Sequence, residues 1–152
     1  MKRTILLILV AAMVLGLCAC GSKPEVPVAD VYDRMAKEVK FPTEMLKMDD
    51  SIIIRDFGFD LDTFEEYLYM KAEDVLFAEN IMLIKVKDAK DVDAVKEKLE
   101  KFVKEQATLL NGYMPDQGKI AEKGIVVAKG RYVYLLMSSE VNALKKIAAE
   151  MI

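Results

Sequence analysis

One stretch near the middle of the chain restricts the possible folds more than any other. From Asp91 to Asn111, the residues Val92, Val95, Leu99, Phe102, Gln106 and Leu109 recur at alternating steps of three and four. That spacing puts them on one stripe of an α-helix. Asp91 stands where an N-cap is wanted, and Asn111-Gly112 offers a left-handed exit. Glu97–Lys101 and Glu100–Lys104 are spaced i, i+4 in the favourable order. About three heptads without a sustained repeat are too few for a coiled coil. The stripe therefore predicts one amphipathic helix lying on a sheet.

The neighbouring segments supply that sheet. Ile81–Lys87 alternates, with Met82, Ile84 and Val86 on one face and Ile81, Leu83, Lys85 and Lys87 on the other. Glu66–Lys71 also alternates and reads as a strand, although Asp62-Thr63-Phe64-Glu65 has the spacing of a helix capping box. After a loop carrying Pro115 and Gly118, Ile125–Ala128 and Arg131–Met137 flank Lys129-Gly130 as a hairpin, with Gly130 taking positive φ. Helices complete the pattern. Val28–Lys40 carries Val28, Val31, Tyr32, Met35 and Val39 on one stripe and is stopped by Pro42. Shorter helical patterns follow over Thr43–Met48 and Asp50–Phe57, the second of which has enough β-branched content in Ser51–Arg55 to suit a strand as well. Val141–Met151 closes the chain with Val141, Leu144, Ile147, Ala148 and Met151 inward. The expected fold is α+β, an antiparallel sheet of about four strands covered by helices, in the order α-α-β-β-α-β-β-α. A sheet of that size leaves a question: whether its second face is covered or exposed.

The N-terminus reads as an address. Lys2 and Arg3 precede an uncharged run of thirteen residues, Ile5–Leu17. A membrane span needs about 20 apolar residues, so this is an export signal rather than a permanent helix. Leu17-Cys18-Ala19-Cys20 resembles a bacterial lipobox, with Leu17 three residues before Cys20 and small Ala19 just before it. Cys18 does not fit, because bulky Leu17 would occupy the small position. The resemblance implies cleavage after residue 19 and a thioether-linked diacylglycerol on Cys20, with membrane lipid as the first partner. Two acyl chains are enough for stable anchoring. Loss of residues 1–19 leaves 133 of the 152 residues and, with Lys2 and Arg3 gone, moves the net charge from −3 to −5. Residues 20–28 form a proline-containing tether that reaches roughly 25–30 Å when extended. A single domain over 29–152 follows.

Composition then removes most chemistry. The chain has no histidine, and both its cysteines lie in the first twenty residues. Disulfides, thiolate nucleophiles and zinc–cysteine sites are excluded from the folded part. No histidine is available to activate Ser22, Ser51, Ser138 or Ser139, and Ser139 with Lys145 lacks the usual S-x-x-K spacing. Asp56-Phe57-Gly58 matches the kinase tripeptide without any of its companions. A calcium loop starting at Asp60 fails, because Phe64 and Glu65 stand at its fifth and sixth positions. Lysines interspersed with acids and a net negative charge speak against nucleic acid. One feature remains as a candidate binding face: Tyr67 and Tyr69 on one strand with Tyr132 and Tyr134 on another, which form a platform if those strands adjoin.

The Phe57-Gly58-Phe59-Asp60 turn, Glu65-Glu66-Tyr67, the strand Ile81–Lys87 with the helix after it, Tyr113-x-Pro115 and the hairpin Lys129-Gly130-Arg131-Tyr132-Val133 together carry a resemblance. Over about Val28–Leu136 the chain resembles a family of small lipoproteins from Gram-positive anaerobes, known only as a domain of unknown function. The resemblance brings no catalytic residues and no cofactor. The sequence-level expectation is a lipid-anchored, extracytoplasmic binding or protein-interaction module that is not an enzyme and works with an envelope protein or small ligand. Its rival is a small auxiliary ligand-binding lipoprotein of a membrane transport system, and a metal-independent hydrolase ranks third.

Overall fold

Asn80–Val86 (β3) is buried along its whole length, which an antiparallel strand with one wet face would not be. It is the central strand of five in the computed structural model, which describes residues 25–152. The others are Met45–Lys47 (β1), Phe64–Ala72 (β2), Ile125–Lys129 (β4) and Tyr132–Met137 (β5). Their order is β1-β2-β3-β5-β4, with every neighbouring pair antiparallel. The leader, Cys20 and the start of the tether lie outside the described residues.

Both faces of the sheet are covered, which answers the question left by the sequence. Met82, Ile84 and Val86 meet Val133, Leu135 and Met137 on one face. Asp50–Phe57 (α2), Val92–Tyr113 (α3) and Pro115–Glu122 (α4) close that face. Ile81 and Leu83 meet Leu68, Met70, Tyr134 and Leu136 on the other face. There Val28–Glu38 (α1) and Val141–Met151 (α5) pack with Val31, Met35, Leu144 and Ile147. The result is α+β as expected, with five strands rather than about four.

The additional strand is β1, where the Thr43–Met48 pattern suggested helix. A stretch so short cannot offset the cost of nucleating a helix on its own. Extended, Met45–Lys47 pairs with Met70–Ala72 and so completes the ladder of β2. The capping-box spacing at Asp62–Glu65 starts no α-helix either. Asp60 instead caps a single 3₁₀ turn, Leu61–Thr63, and β2 follows at once.

The long helix is present, two residues further along at its end, and its stripe drifts. Val95, Leu99 and Phe102 are buried, but the seam then passes to Ala107 and Leu110, and Leu109 is 54% exposed. A 3.5-residue repeat slips against a straight helix of 3.6 residues per turn, so an alternating three-four pattern leaves the core after a few turns. Its surface pairs are Lys96–Glu100 and Lys101–Glu105, not those expected. Asp91 makes no side-chain cap, and Asn111-Gly112 is no exit: helix continues to Tyr113. The hairpin at Gly130 has φ +59° there while Arg131 keeps negative φ, the pattern of a type II′ turn.

The expected loop at Pro115–Gly118 is α4, which turns back on α3. Gly118 allows that approach: a Cβ there would sit 2.0 Å from Asn111 Oδ1 and 2.8 Å from the Asn111 backbone nitrogen. Helix propensity favours alanine over glycine by about 1 kcal/mol, yet overpacking against backbone costs about 1–3 kcal/mol. Gly118→Ala should therefore lower the midpoint of a thermal melt followed by circular dichroism. Gly112→Ala, whose Cβ meets nothing within 4 Å, should raise it. A rise for both would show that α4 moves away from α3 without cost.

Candidate functional site

The four tyrosines do not make a platform. Leu83 lies opposite Leu68 on β2 and opposite Tyr134 on β5. Because side chains alternate along a strand, Tyr134 and Tyr132 share the face of Leu68, while Tyr67 and Tyr69 occupy the other. β3 also separates the two strands. Tyr69 is fully buried, and its hydroxyl donates to Asn80 Oδ1 at 2.7 Å with Asp56 Oδ2 3.4 Å away. Burial drives its phenol far above the ordinary value. Tyr67, half-buried, donates to Asp50 Oδ1 at 2.9 Å. Tyr134 is 3% exposed in the second core. Neither a ligand pocket nor an open patch is built from these rings.

A different constellation stands at one end of the sheet. Lys85, on the face of Ile81 and Leu83, has a side chain only 5% exposed, and its ammonium needs partners. It lies 2.7 Å from Glu65 Oε1, 2.8 Å from Glu25 Oε2 and 3.7 Å from Glu66 Oε1. Arg131, at the hairpin turn, donates through Nη2 to both oxygens of Glu25 at 2.7 Å and through Nη1 to Glu65 and, at 3.1 Å, to the Val86 carbonyl. Hydrogen bonds from Lys85, then Arg131, hold the carboxyls of Glu25 and Glu65 below the usual range, and Glu25 and Glu65 in turn raise Lys85. Tyr132 joins this group, donating to the Val26 carbonyl at 2.8 Å, with its ring centroid 5.9 Å from Lys85 Nζ. Val28 N donates to Glu66 Oε2 at 2.9 Å.

The arrangement is a clamp on the chain where it enters the fold. Glu25, Val26 and Val28 come from the tether side; Glu65, Glu66, Lys85, Arg131 and Tyr132 come from three strands and a turn. Of these, only Tyr132 figured among the candidate residues. Lys85 was visible in the sequence as a charged residue following Ile81 and Leu83 on one strand face, and a cation that the sheet buries there must find partners inside.

Two other features stand apart from the clamp. An open groove of about 520 Å³ lies past the end of α1, between Tyr32, Val39, Phe41 and Met45, with Lys37, Lys40 and Glu44 at its rim. Glu79 is wholly buried before β3, where its Oε1 accepts from Ser139 N at 3.1 Å and Ser139 Oγ at 3.0 Å. The Ser139 hydroxyl thus serves Glu79, while Lys145 is exposed. Among the described residues no group of three or more acids is placed to hold a metal ion. No described helix is long and apolar enough to cross a membrane.

A family model described as a domain of unknown function (DUF4358) matches residues 37–138, well over half of the chain. The chain belongs to that family. Nothing among the curated proteins matches it, and no solved structure does. The stretch matched by DUF4358 contains all five strands with α2, α3 and α4, and Glu65, Glu66, Lys85 and Arg131 fall inside it. Glu25, α5 and nearly all of α1 fall outside. The DUF4358 stretch therefore supplies the strand side of the clamp, and the residues before it supply what is clamped.

Proposed function

We propose that the chain is a lipid-anchored, extracytoplasmic lipoprotein whose folded domain works by protein interaction, without catalysis. The clamp is the observation that carries this reading. Glu25 comes five residues after Cys20, a contour of at most about 18 Å. With fatty chains on Cys20, the Lys85–Arg131 end of the sheet faces the bilayer. The opposite end of β2 and β3 then points outward, about 20 Å further on at roughly 3.4 Å per residue. The turn there carries Val75 and Leu76, apolar and 80% and 58% exposed, which suits contact with an envelope protein. The groove beside Tyr32 favours the second reading, a small auxiliary ligand-binding lipoprotein of a transport system.

Cys20→Ala tests the anchor. Mass spectrometry of the native protein should show loss of the diacylglyceryl mass, and the protein should leave the membrane fraction. An unchanged lipid signal on the variant, or a native chain that is unacylated and soluble, would overturn the reading. For the outward end, a photo-cross-linker at Leu76 should capture a membrane-envelope protein that one at Arg131 does not.

A further inference from the structure

The sheet has two edges, and only one is guarded. The β1 edge is three residues long and exposes Leu46 and Lys47. The β4 edge runs for five residues, Ile125-Val126-Val127-Ala128-Lys129, with no proline, no bulge and no charge before Lys129. Such an edge is a template for another strand unless something blunts it.

The hydrogen-bond pattern says which groups it presents. Val86 N donates to the Arg131 carbonyl at 2.9 Å, so odd-numbered residues of β5 bond toward β3 and even-numbered ones toward β4. Their partners on β4 are Lys129, Val127 and Ile125. The N–H and C=O groups of Val126 and Ala128 therefore point away from the sheet, and among the described residues β4 has no strand beyond β5. Four polar backbone groups in a row call for an extended chain.

We infer that β4 is a homodimerisation edge, paired antiparallel with β4 of a second copy. The register is self-complementary. A two-fold axis at Val127 sets Val126 opposite the second copy's Ala128 and Ala128 opposite its Val126, so all four outward groups of each copy are matched. Val127 meets Val127 across the axis, and Ile125 meets Lys129. The contact is isologous and closes on itself, joining two five-stranded sheets into one. A foreign strand would satisfy the same groups without that symmetry, and it would not bring residue 127 of two copies together. The inference stands whether or not Cys20 carries lipid.

Sedimentation of the full chain in detergent should show a concentration-dependent dimer. Ala128→Pro removes an outward N–H and leaves the β5 ladder untouched, so it should abolish the dimer while preserving the circular dichroism spectrum. Val127→Cys, in a chain with Cys18→Ser and Cys20→Ser, provides a readout independent of that proline. Facing residues at a non-hydrogen-bonded pair lie about 4.5 Å apart at Cα, within disulfide reach. Oxidation should link two chains through residue 127, whereas Lys145→Cys in the same background should not link. A native chain that stays monomeric at every concentration, a dimer unaffected by Ala128→Pro, or equal linkage through residues 127 and 145 would each overturn the inference.

Discussion

Phe57→Ala should destabilise the domain by about 3–5 kcal/mol, the usual range for emptying a buried phenylalanine site. Phe57 is the last residue of α2, and Gly58 at φ +63° ends the helix directly behind it. That cap aims the ring at the sheet, where it is 7% exposed and sits at the centre of an aromatic group. Its centroid lies 5.2 Å from Phe59, 5.1 Å from Tyr69 and 4.5 Å from Phe102. Each such pair adds about 0.5–1.5 kcal/mol beyond area alone. Phe59 comes from the turn after α2, Tyr69 from β2 and Phe102 from α3, so neighbours held by three separate segments cannot all collapse into the vacancy. Total stability for a domain is about 5–15 kcal/mol, and the variant should show a clearly lower urea midpoint. Ile54→Ala on the same helix, where the side chain is 49% exposed, should change little. A loss below about 1 kcal/mol at Phe57 would mean that the face repacks freely and that these rings are not fixed around it.

The same face shows what a sequence reveals and what it withholds. The alternation of Ile81–Val86 was readable because side-chain direction along one strand depends only on parity. Its two apolar faces already held the fact that both would be covered, although Lys85 on one of them pulled the other way. The grouping of the tyrosines was not readable. Tyr67 and Tyr69 have odd numbers and Tyr132 and Tyr134 even ones, but parity cannot be compared between strands without their register, which β3 sets through Leu83. β1 was hidden because three residues carry no periodicity. α4 was hidden because Pro115 and Gly118 signal a turn when viewed alone, and only the close approach to Asn111 explains the glycine. The clamp was half legible: Lys85 announced a need for partners, but Glu25 lies sixty residues away in the chain and Arg131 another forty-six beyond Lys85, distances over which only the fold decides contact.

Lys85→Met should release the chain segment Glu25–Val28 from the sheet and remove most of its dependence on pH. Methionine keeps the length and apolar stem of lysine, so the stem still lies beside Tyr132 on the neighbouring strand while the charge shared by Glu25, Glu65 and Glu66 is lost. In the native protein the carboxyls of Glu25 and Glu65 titrate below their ordinary value of 4.5 because Lys85 and Arg131 stabilise their charged forms. A carboxyl held low contributes its full stabilisation above its unfolded value and loses it as pH falls through the folded one. Lys85, held above its ordinary 10.5, contributes fully below that value and loses its share as pH rises past it. The clamp is therefore closed between about 4.5 and 10.5 and opens in acid. Hydrogen exchange at the Val28 amide, which donates to Glu66, reads this directly. Its protection factor should fall between neutral pH and pH 3 as the carboxyls of Glu25 and Glu65 take up protons. In Lys85→Met it should already be low at neutral pH and fall little further, while amides of β3 stay protected in both. Equal protection at Val28 in the two proteins would mean that Arg131 and Tyr132 alone hold the entering chain, and that the buried lysine does not set how the domain stands on its tether.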